Sequence, residues 1–155
     1  MLLLRRSLSA LVFLSVPLAC GQSWRPAKTA PSETAMEMRR GAGPGLQDCG
    51  EGVEEHGETA CKIHPVGECL ESALKQCRPA FGNRQFLTEE GDPVRVDWLV
   101  LSDGHGGCQL TQVEDRSADP LPSKKKPRVE TCRSIVWRSH PNIENCEMPA
   151  ADGCK

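Results

Sequence analysis

The chain has 155 residues, a net charge of −2, no tyrosine, three tryptophans, three phenylalanines and nine cysteines. That length suits one modest domain and excludes a large multidomain enzyme. The near-neutral balance gives no electrostatic footprint for nucleic acid, and the cysteine content fits an oxidising, exported setting better than a reduced one.

The N-terminal stretch reads as an address. Arg5 and Arg6 form a short basic region, and residues 8–18 are an apolar run broken by Ser9, Ser15 and Pro17. A bilayer-spanning helix needs about 20 apolar residues, so this run is too short to cross. It has the length of a secretory signal core, which assigns residues 1–19 to a signal peptide. The run ends Val16-Pro17-Leu18-Ala19-Cys20. This resembles a bacterial lipoprotein signal, in which a small residue precedes a cysteine that is lipidated and becomes the mature N-terminus. The resemblance covers about the first twenty residues. It implies a lipid (palmitate among its acyl groups) on Cys20 and anchoring to a bacterial envelope membrane, facing the periplasm or the cell surface. Ordinary cleavage after Gly21 is the competing expectation, since Ala19 and Gly21 are also small. Cysteine parity favours lipidation: without Cys20, eight cysteines remain, an even number.

Residues 20–47 read as a lipidated N-terminus and a flexible tether. They are rich in Ala, Pro, Gly, Ser and Thr and end Gly41-Ala42-Gly43-Pro44-Gly45, a composition that buries little apolar surface. A random coil of that length spans roughly 30 Å. Residues 48–155 read as one disulfide-stapled α+β domain. It carries 13 basic and 19 acidic residues, a net charge of −6.

Within the domain, residues 66–77 are predicted helical. Pro65 suits a first turn, Pro79 a stop, and Leu70, Ala73, Leu74 and Cys77 form an apolar stripe. Glu71 and Lys75 make an i, i+4 pair on the outer side. Along such a helix Cys69 and Cys77 lie about 12 Å apart at 1.5 Å per residue. That is too far for a mutual disulfide, and the other pairings stay open. Strands are predicted over residues 84–89, 94–101, 108–114 and 129–137. Glu90-Gly91-Asp92-Pro93 and the stretch 102–107 are the turns between the first three. Leu99 and Leu101 interrupt the polar face of the second strand, so that end is expected to be covered on both sides. Residues 139–155 show no period and are expected to be irregular. The predicted fold is α+β: one helix followed by a small antiparallel β-meander, disulfide-rich. Cystatin-like domains share that order of elements, which is likeness of architecture and carries no function.

The expected disulfide cysteines are Cys49, Cys61, Cys69, Cys77, Cys108, Cys132, Cys146 and Cys154. No Cys-x-x-Cys pair occurs, so zinc-ribbon, thioredoxin-type and haem-attachment chemistry find no motif. His56, Cys61 and His64 have ligand-like spacing beside Glu54, Glu55 and Glu58, but using Cys61 on a metal would unbalance the cysteines. Asp103 and His105 pair a carboxylate with a potential general base in a glycine-rich loop, with no nucleophile identified; turn chemistry accounts for both. Lys124, Lys125, Lys126 and Arg128 form a basic loop suited either to solvent or to contact with a partner. Trp98 and Trp137 lie in strand patterns, which favours core packing over a stacking platform. The expected role is therefore a non-enzymatic binding or inhibitor-type module with no cofactor, acting on a protein or glycan partner. The alternatives are a secreted metal-binding protein using His56, Cys61 and His64, and a small hydrolytic enzyme using His105.

Overall fold

The structure is a computed structural model and describes residues 29–53, 59–88, 90–118, 126–138 and 146–150. The elements run α1 (Glu33–Gly41), β1 (Gln47–Val53), α2 (Thr59–Lys75), β2 (Ala80–Leu87), β3 (Pro93–Ser102), β4 (Cys108–Asp115), β5 (Arg128–Cys132), β6 (Val136–Arg138) and β7 (Glu147–Pro149). β1 to β5 form one sheet in sequential order. β1 runs parallel to β2, and β2 to β5 are antiparallel neighbours. β6 and β7 form a separate parallel pair. The fold is α+β and strand-rich. It differs from one helix followed by a meander in having a second helix, a parallel first strand and a second small sheet.

The expected helix is longer than its sequence signals. α2 begins at Thr59, so Pro65 lies inside it instead of in its first turn. Proline there removes one helical hydrogen bond; burial of the same face compensates, with Ile63, Val66, Leu70 and Ala73 all within the core. The Glu71–Lys75 pair forms at 3.2 Å. The sheet meets α2 closely because two glycines omit a side chain: a Cβ on Gly52 would lie 2.6 Å from Ile63 Cγ1, and one on Gly82 2.5 Å from Val66 Cγ1. β1 escapes sequence detection for a related reason, since Gln-Asp-Cys-Gly-Glu-Gly-Val holds two glycines and, in Val53, a single strong strand former. Its register shifts between Asp48 and Glu51. Gly50 takes φ +93° there, and its N–H donates to Asp48 Oδ1 at 2.8 Å.

The main core lies between α2 and one face of the sheet. Val94, Val96, Trp98 and Val100 of β3 and Leu110 of β4 point into it, joined by Ile135, Cys146 and Met148. Trp98 is a core residue, and its indole N–H donates to Gln112 Oε1 at 2.9 Å. The expected last strand divides at Arg133 and Ser134. β5 stays on the sheet, while β6 leaves it and pairs with β7 against α2. Gly67 permits that contact: a Cβ there would lie 2.6 Å from both Met148 Sδ and Trp137 Cη2. The tail expected to be irregular thus supplies β7.

Among the described residues three disulfides staple these parts. Cys49–Cys69 ties β1 to α2, Cys77–Cys108 ties the end of α2 to β4, and Cys132–Cys146 ties β5 to the segment entering β7. Cys69 and Cys77 have different partners, as helix geometry requires. The side chains of Cys61 and Cys154 lie outside the described residues.

The opposite sheet face is covered as well. Leu99 and Val113 are buried there with Ala35 of α1, and Met38, Phe81 and Leu101 pack around them. The stretch read as a tether therefore contains structure from residue 29 onward. Ser32 caps α1, its hydroxyl accepting from the Ala35 N–H at 3.2 Å, and Glu33 in the first turn with Arg39 and Arg40 in the last suit the helix dipole.

Candidate functional site

The polar side of β3 is not solvated. Arg95 is 5% exposed and Asp97 2%, and they form a two-point ion pair: Arg95 Nε lies 2.9 Å from Asp97 Oδ2, and Nη2 lies 2.8 Å from Oδ1. On β2, Gln85 faces Arg95 and Asn83 faces Asp97 in register; both are buried. Gln85 donates to Glu51 of β1. Asn83 Oδ1 is the one buried side-chain oxygen among the described residues that lacks a hydrogen-bond partner. Asp115 of β4 faces Arg95 from the other side, and its Oδ1 accepts the Ser117 N–H at 2.8 Å.

An extended arm, residues 29–31, crosses this polar face before α1 begins. The Thr29 N–H donates to Gln85 Oε1 at 3.0 Å, and the Thr29 carbonyl accepts from Arg95 Nη1 at 2.8 Å. Between the arm, the start of β3 and the end of β4 opens a cleft of about 330 Å³. Thr29, Ala30 and Pro31 form one wall, Pro93 and Arg95 the floor, and Asp115, Ser117 and Ala118 the other wall. Arg95 is balanced by Asp97. Among the described residues Asp115 has no cation paired with it, so those residues leave the cleft one negative charge in excess.

None of these residues stood out in the sequence. Arg95 and Asp97 alternate with valines and read as a solvated strand face. The available signal was the run Leu99-Val100-Leu101, which already required cover on both sides of β3. Pro31-Ser32-Glu33 was a second signal, a helix-start signature that names the covering element.

The residues singled out by sequence fall elsewhere. His105 is exposed at the β3–β4 turn, where Gly104 and Gly106 have positive φ. The Asp103 carboxylate accepts the His105 N–H at 2.8 Å and the Gly107 N–H at 2.9 Å, so it holds the turn. His64 lies on α2, with its ring 4.9 Å from that of Trp137 and Nδ1 3.5 Å from Glu68 Oε2. His56 and the Cys61 side chain lie outside the described residues, and among those described no three His, Cys, Asp or Glu side chains gather as a metal site. Lys126 is exposed, and Arg128 reaches Glu130 at 2.5 Å with its side chain 52% exposed. Lys124, Lys125, Cys20 and the signal segment lie outside the described residues. Among the described residues no helix is long and apolar enough to cross a membrane.

Compared with protein-family models, curated proteins and solved structures, the chain matches none.

Proposed function

We propose that the chain is a non-enzymatic binding module, exported and held at a bacterial envelope membrane by a lipid on Cys20, with the Arg95–Asp115 cleft as its recognition surface. The observation that carries this reading is the buried Arg95–Asp97 pair. Desolvating two charges costs several kcal/mol per ion, and well-packed apolar residues of similar volume often serve stability as well or better. A small stapled domain that keeps such a pair beneath an open cleft uses it for something other than stability. The pair fixes the cleft floor and the arm at once, since Arg95 bonds both Asp97 and the Thr29 carbonyl.

Export is supported by the basic and apolar pattern ahead of Cys20 and by the three disulfides. The docked arm shortens the tether. From Cys20 to Thr29 the chain spans at most about 30 Å, so the cleft works near the lipid surface. The basic loop containing Lys124, Lys125, Lys126 and Arg128 follows β4 and adds a second contact region for a protein or glycan partner.

A photocrosslinking residue placed at Ala118 in the full chain, expressed in bacterial cells, tests the reading. A discrete adduct in the membrane fraction is expected from Ala118 and none from Glu71 on the outer side of α2. Equal labelling at both positions, or no adduct at Ala118 together with no small molecule bound in the cleft, would refute the cleft as a recognition surface.

A further inference from the structure

We infer that the cleft takes a small organic cation, an amine or guanidinium on a short apolar stem. This rests on the cleft being the recognition surface and names the chemistry it recognises. Charge points first to a cation. The Arg95 guanidinium is engaged by Asp97 and by the Thr29 carbonyl, whereas Asp115, opposite it in register, has no paired cation among the described residues. The Asp115 carboxylate is also held in place, because Oδ1 accepts the Ser117 N–H at 2.8 Å. Other lone pairs of that carboxylate are then available for a charge-assisted bond, the stronger kind of hydrogen bond. An anion would meet an arginine already neutralised and a carboxylate that repels it.

The walls suit the stem of such a ligand. Ala30, Pro31, Pro93 and Ala118 are short and apolar, and no aromatic ring lines the cleft. The cation is therefore held by a carboxylate and not by a π face, and methylene groups lie along rigid walls. A volume of about 330 Å³ is at the small end of ligand sites, which fits a side-chain-sized group. The wider field agrees: the chain from Asp48 onward has a net charge of −6, and Asp92 immediately precedes Pro93.

The same chemistry is offered by a free diamine and by a lysine or arginine side chain of a partner. Titrating the ¹⁵N-labelled full chain with agmatine and with Nα-acetyl-lysine methylamide separates the two sources, and sodium acetate serves as the anion arm. Shifts are expected at Thr29, Arg95, Ser117 and Ala118. Response to both cations assigns a partner's side chain; response to agmatine alone assigns a free small cation. Asp115→Asn keeps an acceptor for the Ser117 N–H and removes the charge, so affinity should fall about tenfold or more. Ala118→Leu fills the cleft without touching charge and should also abolish the shifts. Unchanged cation affinity in Asp115→Asn overturns the inference. Acetate shifting these resonances while the cations do not overturns it too, and leaves the binding-module reading standing. No shift from any probe together with no Ala118 adduct overturns both.

Discussion

Removing Asp97 should be the most damaging single change in the polar face. Asp97→Ala leaves Arg95 at 5% exposure with two short charge-assisted bonds gone and the Thr29 carbonyl as its remaining protein acceptor. Breaking a buried pair from one side costs about 3–5 kcal/mol, because the surviving charge stays desolvated. Converting both partners, Arg95→Met with Asp97→Val, removes the charge as well as the bond, and should leave stability within about 1 kcal/mol of the parent or raise it. Urea unfolding of the disulfide-intact chain, followed by the near-ultraviolet signal of Trp98 one residue from Asp97, reads both. With a slope of about 1–1.5 kcal/mol per molar for a domain this size, the single variant loses roughly 2–5 M in midpoint. The double variant stays close to the parent. A single variant costing under about 1 kcal/mol, or a double variant as unstable as the single one, would refute the claim that desolvated charge governs this face.

Three further outcomes follow from the packing and the staples. Gly67→Ala puts a Cβ 2.6 Å from Met148 Sδ and Trp137 Cη2; overpacking of that size costs about 1–3 kcal/mol and should alter the near-ultraviolet signal of Trp137 as the β6–β7 pair shifts. Replacing Cys77 and Cys108 together opens a loop with sequence separation 31, and replacing Cys132 and Cys146 one with separation 14. Loop entropy predicts losses of about 4 and 3 kcal/mol respectively, so thermal unfolding should rank the first pair as the costlier. Cys20→Ser should abolish incorporation of labelled palmitate and release the chain from the membrane fraction; membrane retention without label would refute the lipid anchor.

The antiparallel hairpins were legible because their signals are local. Alternating valines around Trp98 fixed β3, and Gly91, Gly104 and Gly106 take the positive φ their turns require. The helix stripe through Leu70 and Ala73 located the core face of α2 and excluded a Cys69–Cys77 bridge. Features that depend on distant partners were hidden. β1 exists because α2 presses Ile63 onto Gly52 and Cys69 bonds Cys49; Val53 alone in its own sequence favours a strand. β6 parts from β5 because Trp137 and Met148 have a glycine on α2 to pack against. The cleft was hidden for a related reason. Arg95 and Asp97 look solvated until an arm more than sixty residues away in sequence is laid across them.

That arm leads into α1, which lies N-terminal to every described disulfide. Each described bridge lies at or beyond Cys49, whereas α1 joins the rest through Gly43-Pro44-Gly45, with both glycines at positive φ. Ala35 is its only fully buried side chain, and Arg39 rests on the Phe81 ring 3.6 Å from its centroid. So slight an interface should open locally at a lower free energy than the stapled sheet unfolds. Amide exchange is then expected to be faster across α1 than across β3, and α1 protection should fall further in Asp97→Ala, because Arg95 loses the partner that holds it under Thr29. Opening would also dismantle the cleft wall formed by Thr29 and Pro31. A ligand bound in the cleft must therefore slow exchange in α1, which it does not touch. Protection in α1 equal to that in β3, or unaffected by a cleft ligand, would show that arm and sheet move as one body.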